Sequence, residues 1–600
     1  MSTPVEAVPR TARVLLGLAA GAVAFAAADT YVVVLALVDM MQGVGLSPDQ
    51  LQRAAPIISG FLLGYVAMLP LIGRIADLRG RAPVLVASLV VFAFGSLVTA
   101  LSYDMTSMVA GRFLQGLGGG GLVPATLALV ADLYPRERRG VPLGLVSAVQ
   151  EIGSVLGPLY GAVVLAVADW RAIFALNLAV GLVLAAALRV ATRTTPGVAD
   201  PAVGSRDRAR LPDPIGVLLV VVLLGAGGLV FVEPSQLLRD ITWGQLFIPV
   251  DALGVLGDGR WVTPLGLTTI GALVLLVARC LTAPRPLVDL CGWGRSLREA
   301  DALGATYLAL ALGGVILAFA TADPKIQVFS DQGWWYLGGA VLAAAAFVVH
   351  LRRSPAPLLP RGALAAMPAW GAVAVSFLVG AALIAALIDV PLFARTTVYE
   401  DSQLMAALVL VRFLVALPVG AVVGGYLTRT VPAGVVTAIG MALASVAFVL
   451  MSRWDVTSLE GWFATVPLVL GGLGFGLALA PVNAAVLAST DDAVHGVASA
   501  MVVVARMVGM LVGISALTTL GLRRYYAEQA DIPPVQEVCN GVSRCDAFSD
   551  LLRAAGIAQE QTVFAGAAII AAAAAVLALV VFKGARTRAD DASAPLPFLS

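Results

Sequence analysis

Three ionisable residues lie deep inside apolar stretches of the sequence. Asp29 sits in AAADTYVVV (26–34), Glu151 in SAVQEIGSVLGPLYG (147–161) and Arg506 in VVVARMVGM (502–510). Each falls near the middle of its stretch; Glu151 is about four residues off centre, or about 6 Å at the helical rise. An uncompensated charge at that depth is costly, so pairing or protonation is the default. Two carboxylates that share one guanidinium can hold a proton in one arrangement and release it in another. That chemistry is proton binding and release, with no bond made or broken in a substrate. A static ion-pair network that fixes helix packing uses the same residue types.

Arg112 and Gln115, in GRFLQG (111–116), are a further polar set inside a span. A buried Arg costs about 2.5–3.5 kcal/mol on insertion scales, which predicts a wet or paired environment. If the helix starts late, Arg112 instead reaches the outer interface. Asp389 (in LIDVPLF, 387–393) and Arg412 form a possible second pair in the outer halves of two later spans, though Asp389 also fits an interfacial position. Asn483 follows Pro481 and is a candidate cavity residue or a helix–helix hydrogen-bonding group. His495, after Asp491 and Asp492, is placed to cap a helix start. No catalytic triad, metal-ligand cluster or nucleotide loop is present, so no catalytic residue, metal or organic cofactor is expected.

The elements that must position these groups follow from composition. The 600 residues are 60% hydrophobic and 12% charged, with a net charge of +1. That is too few charges to cover the surface of a soluble chain, and it offers nothing to nucleic acid. About sixteen apolar stretches are long enough to cross a bilayer, where roughly 20 residues are needed. They must be helices, because lipid satisfies no backbone polar group. The first is too long for a cleaved leader and counts as a span. The expected fold is therefore an all-α polytopic membrane protein. Arg clusters at Arg10/Arg13, Arg74–Arg81, Arg136–Arg139 and in later alternate loops predict a cytoplasmic side that holds both termini.

The expected organisation is a six-helix half (1–193), a linker (194–212), two inserted hairpins (213–300 and 301–367), a second half (368–583) and a tail (584–600). The hairpins start at DPIG (213–216) and DALG (301–304) and end in Pro-Leu turns, which suggests a duplicated two-helix unit. A polar segment at 521–561 predicts outward extensions of the last two spans. Between them Cys539 and Cys545 flank an Asn-Gly turn on the oxidising side, where a disulfide is expected.

Two glycine patterns give the spans their packing. In GRIADLRGR (73–81), Gly73 and Gly80 allow a close approach and a tight turn, and Asp77 can accept from Arg side chains or from a helix N-terminus, a latch that would close the cytoplasmic side. Gly153, Gly157 and Gly161 lie four apart, share one helix face and let a second helix pack closely. Pro158 removes a backbone bond and kinks the helix. Glu151 projects roughly 120° from that strip at 100° per residue, so strip and carboxylate serve different neighbours.

These motifs resemble those of the major facilitator superfamily. GRIADLRGR resembles its signature loop, with Leu78 and Ala82 at usually basic positions. GRFLQG resembles its span-4 motif, and GSVLGPLYGA (153–162) resembles the span-5 motif of the drug:proton antiporter branch. DWRAIFALN (169–177) resembles the start of span 6 in fourteen-span exporters, and otherwise counts as a polar cluster at the outer surface. DTYVVV, FLLGYVAMLPLIGR, QEIGSVLGPLYG, LIDVPLF, HGVASAMVVVARMVGML and GLRRYY are similar to the mycobacterial triacylglyceride transporter family. That resemblance implies proton-coupled alternating access, with coupling roles for Asp29, Glu151 and Arg506 and a gating role for Asp77. It implies inner-membrane export of triacylglyceride-like lipid by a monomer, driven by a proton gradient and partnered by a periplasmic lipid-carrying lipoprotein. Multidrug efflux of amphipathic compounds is the alternative, and a non-transporting scaffold or sensor the alternative of another class. The family has two linker helices; this chain is expected to have four.

Overall fold

The computed structural model describes residues 10–46, 51–134, 139–194, 213–250, 259–284, 286–320, 332–355, 357–359, 362, 364–399, 402–491, 494–540, 545–585 and 587. The side chains of a few helical residues, Glu151 and Pro158 among them, also lie outside the described set. The described residues are all helix and loop. A first bundle holds α1 (Arg10–Gly43), α2 (Leu51–Arg79), α3 (Arg81–Ala100), α4 (Met105–Leu133), α5 (Gly140–Val167) and α6 (Trp170–Thr194). The insert follows with α7 (Pro214–Val232), the short α8 (Ser235–Leu238), α9 (Pro264–Thr282), α10 (Leu290–Glu299), α11 (Ala302–Ala320) and α12 (Gly333–Arg353). The second bundle holds α13 (Met367–Thr396), α14 (Gln403–Leu427), α15 (Ala433–Met451), α16 (Thr465–Ala488), α17 (His495–Ala530), the short α18 (Val535–Val538) and α19 (Asp546–Val581).

Among the described residues fourteen helices are long and apolar enough to cross a membrane, and the pair α10–α11, bent by 72°, makes fifteen. The sequence count of about sixteen also included α5, 28 residues long, whose side chains are described only in part.

Both bundles are wired alike. The first helix packs on the fifth, the second on the fourth, and the third on both the fourth and the sixth. Glycine makes the closest of these approaches possible: a Cβ at Gly153 or Gly157 would run into the backbone of Ala24 or Ala28 on α1. The strip on α5 therefore seats against the helix that carries Asp29. α17 and α19 are 36 residues each, longer than a bilayer core requires, and project beyond the end opposite the Arg-rich loops. The projection carries the disulfide Cys539–Cys545, with Cα atoms 5.6 Å apart. Cys280 is buried and Cys291 exposed, and both are free thiols.

The two inserted hairpins close in the same way. Asp213, just before α7, takes two bonds from Arg279 of α9 at 2.9 and 3.1 Å. The hydrogen bond from Arg279 holds the Asp213 carboxyl below the ordinary carboxylate range. Asp301, just before α11, meets His350 of α12 at 2.7 Å and accepts from the Leu358 backbone at 2.9 Å. Each base stands three residues before the end of its helix. α7 and α9 pack mainly on each other, whereas α11 packs on α2 of one bundle and α17 of the other.

The amphipathic α10 ties the insert to the signature loop. Arg79 donates to Ser296 Oγ at 2.7 Å, pairs with Asp289 at 3.3 Å and lies over the Trp293 ring at 4.7 Å. A half-exposed ion pair is worth about 0–1 kcal/mol and a cation–π contact about 0.5–1 kcal/mol. Arg79→Ala is therefore expected to loosen α10 without changing global stability. Amide exchange should speed up over 289–300 alone; unchanged exchange there would show that α10 is held by other contacts.

Candidate functional site

The buried charges are built into the first bundle by α1, α4 and α6. Asp104 caps α4, accepting from the Ser107 amide at 2.9 Å, so the helix starts two turns before Arg112. That start buries Arg112 (1% exposed), and the outer-interface position allowed by the sequence is not adopted. Arg112 Nη1 meets Asp29 Oδ2 at 2.8 Å, and both side chains are sealed from solvent. The same Nη1 donates to Gln115 Oε1 at 2.9 Å, and Gln115 Nε2 donates to Ser96 Oγ at 2.8 Å. The guanidinium lies over the Phe61 ring, 4.4 Å from its centroid. Asn177 of α6 donates to Asp29 Oδ1. Tyr160 of α5 in turn donates to the Ile173 carbonyl at 2.9 Å and to Asn177 Oδ1 at 3.3 Å. A buried ion pair survives only when its remaining lone pairs and protons are satisfied, and this one has the partners it needs.

The sequence placed Asp29 with Glu151 around Arg506; the structure gives Asp29 its cation from Arg112. Arg506, on α17, stands at the wall between the bundles. It lines two adjoining cavities with Gln150, Ser154, Thr30, Met507 and Met510 on one side and Ser147, Ser376 and Asn483 on the other. Thr30, which lines one cavity, is the residue after Asp29 on α1; neither Asp29 nor Arg112 lines the cavity itself. Glu151 lies on α5 beside Gln150, and its side chain is outside the described residues. Asn483 donates to the Leu479 carbonyl at 3.1 Å, while its buried Oδ1 has no hydrogen-bond partner among the described residues.

At the Arg-rich end the bundles touch. A Cβ on Gly73 of α2 would stand 2.6 Å from the Gly496 carbonyl oxygen of α17, so only glycine fits. Asp77 Oδ1 pairs with Arg81 at 2.9 Å and accepts from the Gly496 amide, in the first turn of α17, at 3.3 Å. A carboxylate at a helix N-terminus is favoured by the helix dipole. Arg81 also reaches Asp132 at 3.2 Å, tying α3 to α4. Gly80, at φ +90°, makes the turn between α2 and α3 in a conformation that side chains disfavour. His495, the first residue of α17, is buried and its Nε2 contacts the Leu487 and Thr490 carbonyls at 3.0 and 3.2 Å.

Two six-helix bundles with the same packing order meet at one end through a glycine-rich loop, around cavities with buried charges. Residues 18–355 match the Major Facilitator Superfamily profile, more than half of the chain. The chain belongs to the major facilitator superfamily. It is closely related to mycobacterial proteins over nearly its whole length. The triacylglyceride transporter of Mycolicibacterium hassiacum is 34% identical over 603 residues, which cover 97% of this chain and 94% of that one. Those of Mycolicibacterium smegmatis and Mycobacterium tuberculosis H37Rv are each 32% identical, covering 95% and 96% of this chain and 87% and 96% of their own.

This major facilitator is a multi-pass membrane transporter, not an enzyme. Its second bundle departs from the sequence expectation at Asp389 and Arg412, which do not pair. Asp389 on α13 is buried (5% exposed), not interfacial, and its carboxyl meets Glu560 of α19. Arg412 on α14 points to α16 and donates to Thr465 Oγ1 at 3.1 Å. The two residues sit on helix faces that look at different neighbours, which spacing along the chain does not reveal.

Asn177 and Glu560 were missed as site residues for one reason. Asn177 ends the stretch assigned to an outer polar cluster, and Glu560 lies in the polar extension before the last span. Asn177 is seven residues past Trp170, two turns into α6. A polar residue that far into an apolar helix was the available signal.

Proposed function

We propose that this facilitator exports triacylglyceride-like or other long-chain lipids from the inner membrane by proton-coupled alternating access, as a member of the drug:proton antiporter branch. The observation that carries the coupling is the sealed Asp29–Arg112 pair, one residue along α1 from Thr30 in the wall of the Arg506 cavity. The lipid class rests on the names of relatives that match nearly the whole chain. In this scheme Asp29 and Glu151 take up and release a proton as the cavity changes sides, and Arg506 is the fixed positive charge that biases them. Gly73, Asp77, Gly80 and Arg81 close the Arg-rich end, which faces the cytoplasm together with both termini. The halves that rock are 1–193 and 368–583, and the duplicated hairpins between them hold α11 across both. The strip of Gly153, Gly157 and Gly161 keeps α5 against α1 through the cycle. The projecting α17 and α19 extend over the exit, where a lipid-carrying lipoprotein receives the cargo from a monomeric transporter.

A second reading, multidrug efflux, is supported by the antiporter-type glycine strip on α5. Proteoliposomes with an imposed pH gradient separate the two. Labelled triacylglyceride is expected to leave the membrane only when the gradient is present, and Glu151→Gln and Arg506→Ala are each expected to reduce that movement at least about tenfold, a loss of about 1.4 kcal/mol or more in the coupled step. Dye efflux with no lipid movement would select the drug exporter. Unchanged gradient-driven transport in both variants would remove Glu151 and Arg506 from the mechanism, and no transport of either cargo would favour a scaffold or sensor.

A further inference from the structure

The second bundle contains a pair of acids that the coupling scheme does not use. Asp389 on α13 and Glu560 on α19 are 5% and 1% exposed, on helices that pack directly on each other, and their carboxyls are neighbours. Neither carboxylate can donate, so a hydrogen bond between them requires a proton on one of them. Glu560 Oε1 accepts from Gln559 Nε2 at 3.1 Å. Its Oε2 is fully buried and has no donor from any described group. A buried carboxylate oxygen with no described donor, next to a second carboxyl, is satisfied by a hydrogen shared between the two groups.

The surroundings supply no positive charge in its place. Among the described residues neither acid makes an ion pair. α15 and α16, which pack on these helices, carry no ionisable side chain. Arg412 of α14 is turned to Thr465, and Arg506 of α17 lines the central cavities. Asp455, in the loop after α15, is bonded by Thr457 and Ser458. Among the described residues, Arg395 and Arg453, at the ends of the same elements, make no ion pair with either acid, and Glu460 in the same loop is itself an acid. One turn along from each acid stand Phe393 and Phe564, 6.4 Å apart, and both pack on Trp454 at 5.3 and 5.9 Å. Gln561, the residue after Glu560, donates to the Trp454 carbonyl at 2.7 Å and ties that loop to α19. With apolar rings one turn away and both acids buried, two negative charges here would be poorly solvated.

We infer that Asp389 and Glu560 form a proton-binding site of their own, holding one proton between the two carboxyls and clasping α13 to the base of the projecting α19. The site is separate from Asp29, Glu151 and Arg506, and its occupancy does not depend on the cargo or on proton-driven transport. Loss of the proton leaves two adjacent carboxylates in an apolar setting, which pushes α13 and α19 apart.

Infrared difference spectroscopy of the protein in lipid nanodiscs, titrated from neutral to alkaline pH, tests this directly. The wild type is expected to show a protonated-carboxyl stretching band that shifts in heavy water and disappears on alkalinisation. Glu560→Gln and Asp389→Asn should each lose that component, because the amide donates the hydrogen bond and the remaining carboxyl ionises. Both variants are near-isosteric, and either alone is sufficient if the other fails to fold. Thermal unfolding provides a second measurement. A proton held by the folded state and lost on unfolding makes stability fall as pH rises. The wild-type melting temperature should therefore drop on alkalinisation more than that of either variant. An unchanged carboxyl band in both variants, or melting temperatures that fall in parallel, would overturn the assignment.

Discussion

Arg112→Ala is expected to destabilise the folded protein by about 3–5 kcal/mol, because it leaves a buried carboxylate without its cation. Asp29 lies 2.8 Å from Arg112, and both side chains are sealed from solvent. Asn177 remains as a donor but brings no charge, and Gln115 would lose the guanidinium its Oε1 accepts from. The Phe61 ring beneath the guanidinium would also face a void. Thermal unfolding in detergent or nanodiscs should show the loss as a lower transition temperature and a smaller monodisperse fraction. The double variant Asp29→Asn with Arg112→Met removes both charges while keeping the volume filled, and replacement of a whole buried pair is often neutral. It should recover most of the lost stability. It should not recover proton-driven transport, because no titratable group is left at that position. If the double variant is as unstable as Arg112→Ala, packing and not charge controls the site. If it both folds and transports normally, Asp29 is a structural residue.

Gly73→Val and Gly496→Val are expected to abolish most transport while leaving each bundle folded. Gly73 and Gly496 face each other where α2 meets α17, and a Cβ on Gly73 would stand 2.6 Å from the Gly496 carbonyl oxygen. Neither helix can yield without separating the bundles at the Arg-rich end, because the obstructing atom is backbone. Separation also draws Asp77 away from the Gly496 amide. The bundles retain their own contacts, so the energy enters the opening equilibrium and not the fold. A bias of about 1.4 kcal/mol shifts such an equilibrium tenfold, and a valine wedge is expected to exceed that. Spin-label distances between the Arg-rich ends of α5 and α14 should lengthen, with transport down at least about tenfold. Unchanged distances with normal transport would show that this contact opens and closes without consequence. Asp77→Asn removes the charge at the helix N-terminus but not the fit of the glycines, so it should have a smaller effect of the same sign.

Much of the architecture was legible along the chain. Apolar stretches of bilayer length identified the helices, and the four-residue spacing at Gly153, Gly157 and Gly161 identified a packing face. GRIADLRGR marked Gly73 and Gly80 for a close approach and a tight turn beside Asp77, while the partner helix of that approach came from the fold. These features are local: they depend on helical periodicity, on chain length against membrane thickness and on the conformations open to glycine. The sequence also marked Asp29, Glu151 and Arg506 as charges at a costly depth, and left Arg112 and Asp389 open to an interfacial position.

What the sequence alone could not determine was which of these groups meet. Depth follows from counting residues, but partnership depends on how each helix is rotated and which neighbour it faces. Arg112 and Arg506 were both available to Asp29. The choice fell to Arg112 because Asp104 starts α4 early enough to carry the guanidinium inward, and because Asn177 on α6 occupies the other side of the carboxyl. Asp389 had Arg412 nearby along the chain, yet α13 turns it to Glu560, more than a hundred residues later. That residue looked like part of a solvated extension until α19 was seen to run unbroken from the projection into the bundle. Composition and periodicity thus determined a polytopic helical membrane protein with charges at its centre, while the rotation and packing of helices decided whether each buried acid received a cation or another acid.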